Sequence, residues 1–339
     1  MNKLRLLALV LVIASCNNNE QSPATMTTTS RKTIGTIEQL DPSLKNIISD
    51  SSTPIEIIGE GHKWTEGPLW VDSSKMLLFS DIPPNKIFKW TEAKGEELYL
   101  EPSGYTGTTP RDGEPGSNGL ILNKDGKLVM CQHGDRKVAL MDADIDAPAP
   151  KFISLADNYQ GKKLNSPNDA VFRSNGDLFF TDPPYGLAKD AVQELPFQGV
   201  FKATAGQVTL LTDSITRPNG IAFTNNEKTL IVANSDPKKA VWYLFDIAAN
   251  DALTNPRILM DATPLVVAGE KGLPDGLKVD KQGNVFATGP GGVFIFDKAG
   301  KQIGKIKIPE PCSNVALAED DKVLYITANM YVLRIKLRS

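Results

Sequence analysis

Six stretches of the chain share one alternation: a short acidic or amide residue, an apolar run of strand length, a polar turn and a second apolar run. They are EGPLWVDSSKMLLFSD from Glu66, SNGLILNKDGKLVMCQHG from Ser117, PNDAVFRSNGDLFFTD from Pro167, PNGIAFTNNEKTLIVANSD from Pro218, PDGLKVDKQGNVFATG from Pro274 and SNVALAEDDKVLYITAN from Ser313. Their heads, Glu66, Asn118, Asn168, Asn219, Asp275 and Asn314, stand 52, 50, 51, 56 and 39 residues apart. Within each copy the turn (DSSK, NKDG, RSNG, TNNE, DKQG or AEDD) has hairpin chemistry, and a third apolar run follows. A period of about 40 to 55 residues with about four strands per unit is the signature of a propeller blade. The sixth copy runs out before a fourth strand, and Ile55 to Ile58 (IEII), just ahead of the first copy, can supply it. The predicted fold is an all-β, six-bladed β-propeller over residues 54–339, its ring closed by an N-terminal strand so that no long edge stays unpaired.

Ahead of that body the pattern changes. Lys3 and Arg5 precede an apolar run, Leu6 to Ala14, too short to span a bilayer but of the right length for a signal-peptide core. It ends in Ile13-Ala14-Ser15-Cys16, which resembles a bacterial lipobox, so residues 1–15 are expected to be removed and Cys16 to carry lipid. The expected location is outside the cytoplasm, as a periplasmic or cell-envelope lipoprotein touching membrane only through that anchor. Residues 17–31 are polar and of low complexity, as in a tether. Thr36 to Ile48 is amphipathic and predicts one or two helical turns, completing a tether and lead-in over 16–53.

Composition narrows the chemistry. The 27 Gly and 23 Pro fit a turn-rich chain, while 41% hydrophobic and 23% charged residues fit a folded domain with a core. A formal charge of −3 without a basic tract gives no footprint for nucleic acid. With two histidines and three cysteines, a zinc site of the usual nitrogen and sulfur ligands has little to draw on. Cys131 and Cys312 are expected as buried free thiols.

In a propeller the first strand of each blade lines the central channel, so the six heads converge on one axis. Each tripeptide alone (Pro-Asn-Gly, Pro-Asp-Gly, Ser-Asn-Gly) is an ordinary turn signal. The shared register, and Glu66 in a Glu-Gly-Pro that is no turn signal, favour a functional ring. Such a ring repels itself unless a cation sits in it. Two carboxylates, Glu66 and Asp275, with the amide oxygens of Asn168 and Asn219 suit a hard divalent ion, Ca²⁺ before Mg²⁺, Mn²⁺ or Zn²⁺.

The EGPLW, SPND, RPNG and LPDG motifs, in this order and spacing, resemble the senescence-marker-protein/gluconolactonase/luciferin-regenerating-enzyme family over about residues 54–335. The resemblance implies a six-bladed propeller with one divalent cation, usually calcium, held by Glu66, Asn168, Asn219 and Asp275, and hydrolysis of a small lactone. Bacterial gluconolactonase-like members also show strings similar to SNGL, CQHG and TDPPYGL, which here place Asn118, His133, Asp182 and Tyr185 as substrate contacts. Where animal members carry an arginine two residues before the first Asn ligand, this chain has Ser166.

A cation of this kind polarises a carbonyl, and a carboxylate is wanted to activate water. Asp275 is the first candidate for base as well as ligand, although the two roles compete. Asp169 and His133 are the alternatives, and His62 reads as structural or exposed. Two other functions fit the same layout: hydrolysis of phosphotriesters or fluorophosphates, and a surface-tethered, non-enzymatic binding propeller. A closed ring predicts a monomer.

Overall fold

Every predicted blade is an antiparallel sheet in the computed structural model, which describes residues 31–338. The signal segment, Cys16 and most of the tether lie outside the described residues. Blade 1 runs Thr65–Val71, Met76–Asp81, Lys86–Thr91 and Gly95–Leu100 in sheet order. Blades 2 to 5 begin with Ser117–Leu122, Ala170–Phe172, Pro218–Phe223 and Leu277–Val279, and end with Phe152–Ala156, Gln207–Thr212, Leu253–Asp261 and Gln302–Lys307. Blade 6 supplies Cys312–Ala318, Val323–Ala328 and Tyr331–Lys336, and its fourth strand is Ile55–Glu60. The first strands of successive blades touch one another in a closed circle, with blade 6 meeting blade 1.

The second strands explain why the apolar runs are continuous rather than alternating. In a propeller both faces of a blade are covered, so successive side chains serve opposite neighbours. Leu78 joins the core between blades 1 and 2, whereas Leu77 and Phe79 join the core between blades 6 and 1. Six such cores occur, one at each blade junction.

Ring closure follows the expected strand: Ile55 pairs with Ile335 and Ile57 with Leu333. The lead-in departs from expectation. Thr36–Gln39 is a strand, not a helical turn; it adds to the outer edge of blade 5, pairing Ile37 with Ile306. An open sheet edge offers that segment hydrogen bonds, and Pro42 stops a helix from reaching back into it. Pro42–Asn46 is the expected turn of helix, a 3₁₀ turn capped by Asp41, which accepts the Ser43 N–H at 2.9 Å. The amphipathic pattern is therefore used in two pieces: Ile37, Leu44, Ile47 and Ile48 all enter the core between blades 5 and 6.

Candidate metal and active centre in the channel mouth

The heads of the repeat reach the channel by a shared irregularity. Pairing between the first and second strands slips just after Glu66, Ser117 and Pro218, and again between Cys312 and Asn314. A bulge of this kind re-aims a side chain. In blades 3 and 5 the first strand is shorter, and Asn168 and Asp275 stand two residues ahead of it. Their N–H groups are tied to the second strand through Thr181 O (2.9 Å) and Thr288 O (3.2 Å).

The glycines that follow the heads are not turn residues, because Asn118-Gly119 and Asn219-Gly220 lie within strands. Instead they let neighbouring first strands approach. A Cβ on Gly67, whose φ is +51°, would fall 2.1 Å from the Asn118 carbonyl oxygen, and one on Gly220 would fall 2.2 Å from that of Asp275. Hydroxyl groups lock the circle: Ser80 donates to Asn118 O (2.9 Å), Thr181 to Asn219 O (2.8 Å), Thr288 to Ser313 O (3.0 Å) and Ser313 to Thr65 O (2.7 Å).

These strands frame a cavity of about 450 Å³ lined by Glu66, Asn118, Asn168, Asn219, Asp275 and Tyr185. Six of the nine residues singled out from the sequence thus share one wall. Glu66, Asn118, Asn168 and Asn219 are buried, and Asp275 keeps part of its surface open. Burial, then the charges of Asp169 and Glu114, push the Glu66 carboxyl up to about 8 against the pull of the Gly67 N–H. Asp275 is held well above the usual carboxylate range by burial and by Glu66, Asp169 and Glu114, with Asn219 opposing.

The oxygens there are short of partners. Asp275 Oδ1 and Asn118 Oδ1 are buried without a hydrogen bond, and Asn219 spends its Nδ2 on Ser235 Oγ at 3.1 Å, which leaves its Oδ1 for the cavity. Among the described residues no three His, Cys, Asp or Glu side chains cluster as a metal site. The set is two carboxylates plus amides, hard oxygen donors whose repulsion a divalent cation would relieve. The residues present fit such an ion.

The other three expected residues lie elsewhere. Asp182 is fully buried, accepts the Asn165 N–H at 2.7 Å and is raised to about 7 by burial; it pins the segment leading into blade 3 and does not line the cavity. Asp81 does the same for blade 1, accepting the Lys63 and Trp64 N–H groups. Asp169 also faces away from the cavity: its Oδ1 accepts the Ala170 N–H (2.9 Å), and its Oδ2 lies 3.7 Å from Lys278 Nζ. Lys278 meets Asn314 Oδ1 at 3.4 Å and lines the opposite mouth of the channel, so it stands below the ring. His133 is fully buried just behind the wall, its Nδ1 3.4 Å from Glu114 Oε2.

Tyr185 projects from the loop after blade 3's second strand. Burial, then Asp275, raise its hydroxyl to about 12, while the Arg217 guanidinium, 5.9 Å over the ring, pulls the other way. Ser166 fixes that loop by donating to Pro183 O (2.5 Å) and accepting from the Gly186 N–H (2.9 Å). Cys131 and Cys312 are buried free thiols, as expected, and burial pushes both up. Sequence reading missed Glu114, Trp64 and Ser235, which also line the cavity. Ser235 is the penultimate residue of the second strand of its blade, Thr229–Asp236, a position the repeat register could have flagged.

Fold and ring together define a six-bladed propeller with an oxygen-donor centre at one mouth of its channel. Residues 64–330 match the family described as SMP-30/Gluconolactonase/LRE-like region, and the chain belongs to that family. It is 38% identical over 317 residues to a gluconolactonase of Zymomonas mobilis, covering 91% of this chain and 87% of that one. It is 23% identical over 281 residues to a pentonolactonase of Haloferax volcanii, covering 81% and 84%. Among solved structures, a gluconolactonase of Xanthomonas campestris superposes with a TM-score of 0.77 at 26% identity, over 92% of this chain and 99% of that one.

Proposed function

We propose that the protein is a cation-dependent lactonase that opens a small hydroxylated lactone of the gluconolactone type. The observation that carries this reading is the cavity wall on which Glu66, Asn168, Asn219 and Asp275 converge, with Asp275 Oδ1 lacking a partner. The likeness to a gluconolactonase over most of both chains supports the same class. Glu66, Asn168, Asn219 and Asp275 would hold a divalent ion, Ca²⁺ by donor type. When bound, that ion supplies Lewis acidity toward the lactone carbonyl. Asn118 Oδ1 offers an acceptor to a substrate hydroxyl, which favours a sugar lactone over an aliphatic one. Tyr185, fixed by its loop and stacked against Arg217, walls the cavity and orients the ring.

The mature chain acts outside the cytoplasm as a monomer tethered through Cys16; the lipobox-like end of the leader supports export and anchoring.

The test is a panel of sugar, aliphatic and aryl lactones followed by pH-stat. Turnover of an aldonolactone, abolished by chelator and restored by Ca²⁺, is the expected result; inactivity across the panel with metal bound would defeat the reading and favour a binding role. Asp275→Asn should keep the fold, seen by circular dichroism, and lose Ca²⁺ binding together with turnover.

A further inference from the structure

The ring leaves open which group takes the proton from water. Glu66 and Asp275 are committed to the ring, Asp169 is paired with Lys278, and Asp182 is spent on a backbone N–H. Glu114 differs from all four: it lines the same cavity but comes from the irregular segment between blades 1 and 2, not from a blade head. Its side chain is 36% exposed, so it is open to water.

Behind it stands an imidazole with nothing else to do. His133 is fully buried, neither ring nitrogen has a hydrogen-bond partner, and Glu114 Oε2 lies 3.4 Å from its Nδ1. A buried polar ring costs free energy unless a partner meets it, and the Glu114 carboxylate is the group within reach to do so. Its position is fixed on the other side by Gly186, where an added Cβ would fall 2.4 Å from the imidazole Cγ. Arg111 ties the pieces together, donating to Gly134 O (3.0 Å) beside His133 and to Gly186 O, with its guanidinium 5.6 Å over the Tyr105 ring. The titratable groups that face Glu114 are His133, at 3.4 Å, and Glu66 and Asp275 across the cavity.

We propose that Glu114 is the general base of the hydrolysis and that His133 is the positioning residue that holds its carboxylate toward the reacting water. This assignment rests on the lactonase reading. Water oxygen forms a bond to the carbonyl carbon while one of its protons passes to Glu114. When the tetrahedral adduct collapses, the bond from that carbon to the ring oxygen breaks, and the ring oxygen takes the proton back from Glu114. The hydroxy acid so formed gives its carboxyl proton to solvent, and Glu114 is a carboxylate again.

The experiment compares Glu114→Gln, Glu114→Ala, His133→Ala and the Glu114→Gln/His133→Ala pair with the unmodified protein. Glu114→Gln should lower kcat by about 10²–10⁴-fold, the usual worth of a general base, with Ca²⁺ affinity by calorimetry unchanged within about threefold. Formate should restore part of the turnover of Glu114→Ala, which a structural role would not allow. His133→Ala should lower kcat alone but add nothing once Glu114 is Gln, since residues acting as a unit are not additive. Should His133→Ala not fold, the Glu114 variants decide. Turnover of Glu114→Gln within about threefold of the unmodified protein, or a loss of its Ca²⁺ affinity, would overturn the assignment. An unmodified protein that binds Ca²⁺ yet opens no lactone sinks the lactonase reading as well, whereas an active one with an indifferent Glu114→Gln defeats this inference only.

Discussion

Lys278 reaches Asp169 Oδ2 at 3.7 Å and Asn314 Oδ1 at 3.4 Å from the first strand of blade 5, and so puts a fixed positive charge below the ring. Removing one partner of a largely buried pair leaves the other unsatisfied, at about 1–3 kcal/mol. Lys278→Met should therefore lower the urea midpoint, and Asp169→Asn in the same chain should recover most of the loss; an additive double variant would show that the two groups do not interact. The residues of the ring were legible because a repeat fixes register, and register alone carried Glu66, Asn168, Asn219 and Asp275 to one axis. Lys278 was not legible, because in Leu277-Lys278-Val279 it reads as an ordinary polar position of a strand. Glu114 was hidden for a different reason: it sits outside the repeat, where no period says what it faces.

Between the closing strand Ile55–Glu60 and the first strand of blade 1 the chain crosses from one blade to the next, and His62 lies in that crossing. Its Nδ1 meets Asp81 Oδ2 at 3.3 Å and its Nε2 meets Glu96 Oε2 at 3.0 Å, with Phe79 and Phe88 edge-on at 5.0 Å. Burial works against the charged ring, but the two carboxylates outweigh it and raise the pKa to about 9 from 6.5. Stabilisation by His62 is thus complete below pH 6.5 and is lost as pH climbs through 9. Glu96 is partly solvated, and screening there holds the effect to about 1–2 kcal/mol. Urea titrations from pH 6 to 10 should show a fall in stability that His62→Gln flattens; parallel curves would mean that His62 stays neutral in the folded chain. At this scale the hairpins and the closing strand were legible from alternation and turn chemistry. The strand Thr36–Gln39 was not, because its apolar spacing suits a helix as well, and what decides is the open edge of blade 5, an element far away in sequence.

The described residues form a ring with its oxygen-donor centre at one mouth, a lysine below it, and the strands Thr36–Gln39 and Ile55–Glu60 on the outer edges of blades 5 and 6. Cys16→Ala should move the protein from the membrane to the soluble envelope fraction without altering lactone turnover; a protein that stays with the membrane would remove the lipid-anchor reading. The closing sheet has one more consequence, for the order of events during synthesis. Ile55–Glu60 leaves the ribosome before any blade is made, yet its partner Tyr331–Lys336 follows only after blades 1 to 5. Until those residues arrive, the early strand has no sheet partner, and a chain cut short before Tyr331 leaves Ile55–Glu60 and Val323–Ala328 each without the neighbour they have in the closed ring. Such a chain would present a ready target for proteases, so the seam makes the ring's persistence depend on both of its strands having been made.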